Sequence, residues 1–211
     1  MIGLVIFDCD GVLFDSAAAN VAYYNAVLKR LGRPPMSEEW GRRAHFLSSH
    51  QLYEAMFGAG SELSAAALQV GRTVDYTPFY HLMRPMPDLE RVLQALSVHY
   101  ALAMATNRGG TLRGVVREFK LDRYLQHVVG AHDVPRAKPH PDMIEHCLAH
   151  FRLPPIAAVY VGDSDTDQQA ALAAGITFVG FGPAAPAVHR IHHLRELPPL
   201  LERLAPPRPS D

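Results

Sequence analysis

Cysteine is scarce in this chain of 211 residues: Cys9 and Cys147 are too few for a disulfide framework and suit a reducing compartment. Net charge is nearly absent too. Twenty Lys and Arg stand against 21 Asp and Glu, a formal charge of -1, which leaves no electrostatic footprint for nucleic acid or an anionic membrane. The opening MIGLVIFDCD has no basic stretch ahead of its apolar run, which Asp8 cuts short, so no signal peptide is expected. Long hydrophobic runs are missing as well. The 21 charge-free residues Gln168–Val188 are punctuated by Gly175, Gly180, Gly182, Pro183 and Pro186, and read as helix, strand and loop rather than a bilayer span. No internal repeat or low-complexity tract is evident. A soluble cytoplasmic protein is the expectation. At 48% hydrophobic and 19% charged residues the chain can bury a sizeable core, which excludes a disordered or collagen-like polymer. Its length suits one domain or one and a fraction.

Short apolar runs recur at Ile2–Phe7, Tyr100–Ala105, Ala157–Val161 and Thr177–Phe181, with a weaker one at His127–Gly130. Nearly uninterrupted, they have the pattern of parallel strands buried on both faces. Helical patterns lie between them at Asp88–Leu96, Thr111–Phe119, Pro141–Phe151 and Thr166–Ala174. Strand alternating with helix predicts an α/β fold with a Rossmann-like, doubly wound parallel sheet. Between Ser16 and Pro85 the alternation stops, and helices are expected at Ala17–Leu31, Glu38–Phe46, His50–Phe57 and Ser61 to about Leu82. The expected division is a core of residues 1–16 and 85–211 with an inserted all-helical cap at 17–84; four helices packed on the main sheet is the alternative. From Leu197 a short last helix and a Pro-rich end, APPRPSD, are expected.

Four motifs sit at strand ends. The first strand runs into Asp8-Cys9-Asp10-Gly11, and carboxylates at i and i+2 on extended backbone point to one side. The second ends in Thr106-Asn107-Arg108-Gly109-Gly110, a hydroxyl, an amide and Gly-rich backbone that suit an anion, or else an ordinary helix cap. Lys138 lies between prolines in Lys138-Pro139-His140-Pro141, ahead of a helix. The fourth motif is Gly162-Asp163-Ser164-Asp165-Thr166-Asp167, where Ser164 or Asp165 can cap the next helix.

The carboxyl ends of parallel strands share one edge, the usual ligand edge of such sheets, so Asp8, Asp10, Asp163 and Asp167 should converge. Two like charges at 4 Å repel by about 4 kcal/mol at an effective dielectric near 20. A divalent cation, Lys138 and a proton on one Asp would compensate, and all-oxygen ligation favours Mg²⁺ over Zn²⁺.

With DCDGVLFDS, ATN, KPHPDMI and VGDSDTD in this order, the chain resembles the haloacid dehalogenase-like superfamily over essentially its whole length. The inserted helices are similar to the small cap of the phosphoglycolate phosphatase and β-phosphoglucomutase group. The resemblance implies Asp8 as a nucleophile forming an aspartyl-phosphate and Asp10 as general acid and base. It implies Thr106, Asn107 and backbone N–H groups after Asp8 as holders of the phosphoryl oxygens, and Lys138 as partner of phosphate and nucleophile. Mg²⁺ would be held by Asp8, the Asp10 carbonyl and Asp163, with Asp167 a ligand through water or an outer partner. An Asp at position 10 separates phosphate-ester enzymes from the dehalogenases, whose halide leaves unprotonated. The activity implied is a phosphatase for a small phosphorylated metabolite, 2-phosphoglycolate first. A phosphomutase or a catalytically idle binder of phosphometabolites is the alternative. The size and position of the insertion lead to the expectation that the cap swings on linkers near Ser16–Ala19 and Arg84–Asp88 and closes over the site.

Departures are mild: Pro87-Asp88 replaces the usual Pro-Gly, and Cys9 between the two carboxylates should face the core. Arg42 and Arg43 are candidate substrate contacts of the cap, against a plain solvated basic face. His45 and His50 have no evident partner. His189-Arg190-Ile191-His192-His193 reads as a surface run rather than a metal site, and Tyr23, Tyr24, Tyr53 and Tyr76 as cap core rather than a nucleobase platform.

Overall fold

The computed structural model describes residues 1–183 and 187–204; Pro186 and the Pro-rich end lie outside them. The strands are β1 (Leu4–Phe7), β2 (Phe14–Asp15), β3 (Arg84–Pro85), β4 (Ala101–Thr106), β5 (His127–Gly130), β6 (Ala158–Gly162), β7 (Thr177–Phe181) and β8 (His189–Ile191). The α-helices are α1 (Ala17–Arg30), α2 (Glu38–Arg43), α3 (Ser49–Phe57), α4 (Glu62–Gly71), α5 (Leu89–Ser97), α6 (Leu112–Glu118), α7 (Asp142–Phe151), α8 (Asp165–Ala173) and α9 (Leu197–Leu204).

Six strands form one parallel sheet in the order β5-β4-β1-β6-β7-β8. The strand period of two sorts side chains cleanly between its faces. Val5 and Phe7 of β1, Leu102 and Met104 of β4, and Val159 and Val161 of β6 join the apolar layer that holds Leu93, Val115 and Leu201 of α5, α6 and α9. Leu4 and Ile6, Ala103 and Ala105, and Ala158 and Tyr160 face the other way, toward Met143, Ile144 and Cys147 of α7 and Ala170 and Ala171 of α8. Both faces are therefore covered, as the uninterrupted apolar runs require. The chain order turns back at β1, with β4 on one side and β6 on the other, so the crevice opens at the carboxyl ends of these three strands.

The helices α1 to α4 lie between β2 and β3, which pair antiparallel with each other, Phe14 with Pro85 and Asp15 with Arg84. These helices pack among themselves, and their buried Tyr23, Tyr53 and Ala67 continue the same apolar cluster as Phe7 and Leu93. No helix among the described residues is long and apolar enough to cross a membrane.

The short strands β2 and β3 were not expected, the helix expected at Glu38–Phe46 ends at Arg43, and two further elements differ from expectation. The helix expected from Ser61 to Leu82 stops at Gly71, and a 3-10 turn at Thr77–Leu82 follows. Between them lie β-branched Thr73 and Val74, then Asp75, whose Oδ1 accepts the Thr77 N–H at 3.0 Å, a local turn that competes with the helix. Strand β8 was not anticipated. Its residues His189, Arg190 and Ile191 bury only Ile191, so an edge strand with one covered side shows no apolar run. Because this segment is extended, the i, i+3, i+4 histidine spacing of His189, His192 and His193 does not occur on a helix.

Leu93, 1% exposed in α5, is expected to cost about 2–5 kcal/mol as Leu93→Ala, whereas Leu172, 65% exposed on α8, is expected to change stability by less than about 0.5 kcal/mol as Leu172→Gln, both read by urea unfolding.

Candidate active site

The end of β1 delivers Asp8 to the crevice, where its N–H still donates to Val161 O at 2.9 Å and holds the register with β6. The chain then turns back on itself: the N–H groups of Leu13 and Phe14 both donate to Cys9 O. Gly11 makes that turn with φ +82, and a Cβ there would fall 2.0 Å from Asp163 Oδ2, so only glycine lets the loop approach Asp163.

Lys138, 2% exposed, is the centre of the site. Its ammonium donates to Asp167 Oδ1 at 2.6 Å and to the Tyr160 hydroxyl at 2.9 Å, and lies 2.9 Å from Asp8 Oδ1. The last contact is an ion pair without hydrogen-bond alignment, which leaves Asp8 Oδ1 buried and unpartnered. The Tyr160 hydroxyl in turn donates to Ala105 O at 2.7 Å. Asn107 fixes the lysine backbone, accepting Lys138 N–H at 2.9 Å and donating to Lys138 O at 3.2 Å.

Asp167 is fully buried. Its Oδ2 accepts the N–H groups of Asp163 and Ser164, each at 3.1 Å, and the Ser164 hydroxyl at 2.6 Å, while Ser164 accepts Asp167 N–H in return. This capping box starts α8 and turns Asp167 inward. Gly162 makes room for it, since a Cβ there would lie 2.4 Å from Asp167 Cβ.

Asp8, Asp163 and Asp167 each offer an oxygen within 4.8 Å of the others. Burial, with Asp167, Asp163 and Asp10 adding to it, pushes Asp8 up to about 7 from an ordinary 3.8, although Lys138 pulls the other way. Burial also raises Asp163, against the opposing pull of His45. Burial disfavours the Lys138 charge, but Asp167 and Asp8 outweigh it and hold the ammonium protonated. One lysine thus leaves the cluster short of positive charge. Three converging carboxylates, one with an orphaned oxygen, fit a hard divalent cation with oxygen ligands.

Asp10 does not join this cluster. Its carboxylate turns to Arg108, which donates from Nε to Oδ2 at 3.2 Å and from Nη2 to Oδ1; Ser16 Oγ also donates to Oδ1, and Asn20 Nδ2 does so at 3.3 Å. Burial would raise Asp10, but the Arg108 charge and hydrogen bonds bring it below the usual carboxylate range. Arg108 itself, 7% exposed, lies 5.0 Å from the Tyr76 ring centre. Cys9 packs in the apolar cluster with Arg108 beside its thiol.

The helices between β2 and β3 reach the site at several points. Asn107 Nδ2 donates to Phe46 O at 3.1 Å, Gln51 Nε2 to Lys138 O at 3.0 Å, and His45 Nε2 lies 3.6 Å from Asp163 Oδ2. Burial lowers His45, yet the Asp163 contact and the nearby aspartates raise it above its ordinary value overall. A cavity of about 360 Å³ lies over Asp8, Asp10, Thr106, Arg108 and Lys138, walled by Tyr23, Tyr24, Tyr53 and Tyr76. These tyrosines are both buried packing and cavity wall, joined by edge-to-face contacts of Tyr24 with Tyr23 and Tyr53 and a tilted contact of Tyr23 with Tyr76. A volume of this size suits a small ligand.

Three expectations change. Arg42 and Arg43 lie outside the cavity: Arg42 pairs with Glu38 at 2.6 Å on the exposed face of α2, and Arg43 covers Trp40 at 4.4 Å. The helix ends at Arg43 and the chain turns His45 and Phe46 inward instead. The Asn107 amide is spent on backbone carbonyls, which makes it a clamp on Lys138 rather than a free phosphate donor. Sequence reading also missed Arg108, His45, Ser16, Asn20 and Tyr160 as site residues. Only Arg108 carried a signal, its place in the strand-end motif; His50 stays at the surface beside Glu54.

The haloacid dehalogenase-like hydrolase family model matches residues 5–181. Phosphoglycolate phosphatase 1 of Pseudomonas aeruginosa is 30% identical over 96% of this chain and 80% of its own length. A crystal structure of a HAD-superfamily hydrolase, subfamily IA, from Geobacter sulfurreducens is 35% identical, covering 95% of this chain and 96% of that one with a TM-score of 0.75. CbbY of Rhodobacter sphaeroides, solved with phosphate, shares the fold at 20% identity, covering 93% of this chain and 96% of that one with a TM-score of 0.77.

A carboxyl group held near 7 in the fold and near 3.8 when unfolded contributes stability below about pH 4 that is lost as pH rises through 7. Asp8→Asn in chelator is therefore expected to melt higher than wild type at about pH 8, by on the order of 2 kcal/mol, and to show little difference at about pH 4.

Proposed function

The chain belongs to the haloacid dehalogenase-like hydrolases and is a phosphatase; we propose that it is Mg²⁺-dependent and cleaves a small phosphomonoester through an aspartyl-phosphate on Asp8. The observation that carries this reading is the meeting of Asp8, Asp163 and Asp167 within 4.8 Å around a buried Lys138. The Pseudomonas relative of that name makes 2-phosphoglycolate the first substrate to try.

In this mechanism an Asp8 oxygen attacks phosphorus while Asp10 gives a proton to the departing ester oxygen. Asp10 then takes a proton from the water that hydrolyses the acyl phosphate. General acid and base help of this kind is worth about 10²–10⁴-fold, and the covalent intermediate splits one difficult step into two. Thr106 and backbone N–H groups after Asp8 hold the equatorial oxygens. Lys138 keeps the Asp8 carboxylate in place and offsets its charge, and Asp167 keeps Lys138 in place. Asp8, Asp163 and the Asp10 carbonyl would hold Mg²⁺, which supplies positive charge to the phosphoryl oxygens. Both Asp167 oxygens are already engaged, which favours an indirect part for it.

Residues 17–84 would act as the cap over a core of 1–16 and 85–211. The two crossing segments, β2 and β3, pair side by side, which suits a hinge. Closure would exclude bulk water and bring the His45 and Phe46 turn over the reacting group.

Phosphate release from a panel of small phosphomonoesters is expected in Mg²⁺, led by 2-phosphoglycolate. It should fall by about 10³-fold or more in Asp8→Asn and vanish with chelator. Release that survives in Asp8→Asn would contradict the nucleophile assignment. No release together with isomerisation of a sugar phosphate would favour a mutase.

A further inference from the structure

Arg108 does more than the phosphatase reading requires. It lies in the cavity wall beside Tyr76, and four of its five N–H donors have partners. Nε and Nη2 take the two Asp10 oxygens, Nη2 also donates to Asn20 Oδ1 at 2.9 Å, and Nη1 donates to Thr111 Oγ1 at 3.2 Å. A guanidinium fork matches any carboxylate in two-pronged fashion, whether it belongs to the protein or to a ligand.

The partner it holds is the residue assigned to the ester oxygen. While Asp10 is gripped by Arg108, Ser16 and Asn20, both its oxygens are engaged and neither is free for the ester oxygen. Something must compete for Arg108 before Asp10 can turn. The competitor has to be an anion, since it must replace a carboxylate at a guanidinium. Asp8, Asp10 and Arg108 line the same small cavity, so the competing group can belong to the molecule that carries the phosphate.

We propose that Arg108 is the receptor for a carboxylate on the substrate, attached to the carbon that bears the phosphorylated oxygen, and that this carboxylate displaces Asp10 from the guanidinium. The released Asp10, no longer held ionised by the guanidinium, takes up a proton from water and swings to the ester oxygen. Selectivity and activation are one event: an ester without the acid group leaves Asp10 clamped. This deepens the phosphatase reading and rests on it. If Arg108 served only to lock Asp10, its removal would affect all esters alike.

The test compares kcat/KM for 2-phosphoglycolate and ethyl phosphate, which differ in the carboxylate, in wild type, Arg108→Met and Arg108→Lys. A site whose donors go unpaired rejects an analogue by 10⁴–10⁵-fold, but here Asp10 keeps Arg108 paired, so a wild-type preference of about 100-fold is expected. Arg108→Met should bring the ratio to within about threefold of one, and Arg108→Lys, with charge but no fork, to a value between. A wild-type ratio within about threefold of one overturns the proposal without any variant, as does a ratio that neither substitution moves. Calorimetric binding of both esters to Asp8→Asn in Mg²⁺ separates the two readings. Tighter binding of phosphoglycolate there, with no turnover by wild type, keeps Arg108 as receptor and ends the phosphatase reading. Turnover without discrimination does the reverse.

Discussion

The molecule is organised around a single buried ammonium. Lys138 has three close partners, and two of them are carboxylates that the fold would otherwise force together in a dry site. Without it Asp8 and Asp167 would repel each other with little solvent to screen them, and removing one partner from a buried pair costs about 3–5 kcal/mol. Much of the surrounding architecture keeps that ammonium in position. Tyr160 comes from β6, Asn107 from the end of β4, and Asp167 from the first turn of α8. Lys138 is compensation that stops short of neutrality, and the negative charge left over suits a cation.

The sheet makes this possible by geometry rather than by affinity. Parallel strands place all their carboxyl ends on one edge, so residues far apart in sequence meet without a long loop. Helix α8 contributes through its cap: the same Ser164 and Asp167 contacts that satisfy its first N–H groups also aim Asp167 at Lys138. The helices between β2 and β3 close the other side through Phe46 O, Gln51 and His45. Asn107 is bonded to both Phe46 and Lys138, so a change in the position of one is felt at the other.

The sheet and the charged strand ends were legible because their signals are local. Apolar runs such as Ala157–Val161 and an Asp directly after a strand need no knowledge of the partner. What could not be read depends on approach in three dimensions. Asp10 looks like a member of the acidic cluster from its spacing to Asp8, and only the folded chain brings Arg108, Ser16 and Asn20 to it. Arg42 and Arg43 attracted attention as adjacent charges on a helix, but both are exposed and outside the cavity, and the chain beyond the helix enters the site. His45 showed no partner in sequence because its partner, Asp163, lies on a different element and at the far end of the chain. The division at 17–84 was suggested by a gap in the strand pattern, yet the apolar cluster runs across it through Phe14, Tyr23 and Tyr53.

The central claim, that Asp8 accepts the phosphoryl group, is tested most directly by trapping it. Wild type mixed with Mg²⁺ and an excess of its best phosphomonoester is quenched with borohydride, which reduces an acyl phosphate to an alcohol, and the peptides are read by mass spectrometry. The expected result is homoserine in place of Asp8 in the peptide that spans β1, present only with substrate and Mg²⁺. Reduction at another carboxylate, or turnover with position 8 left unmodified, would contradict it.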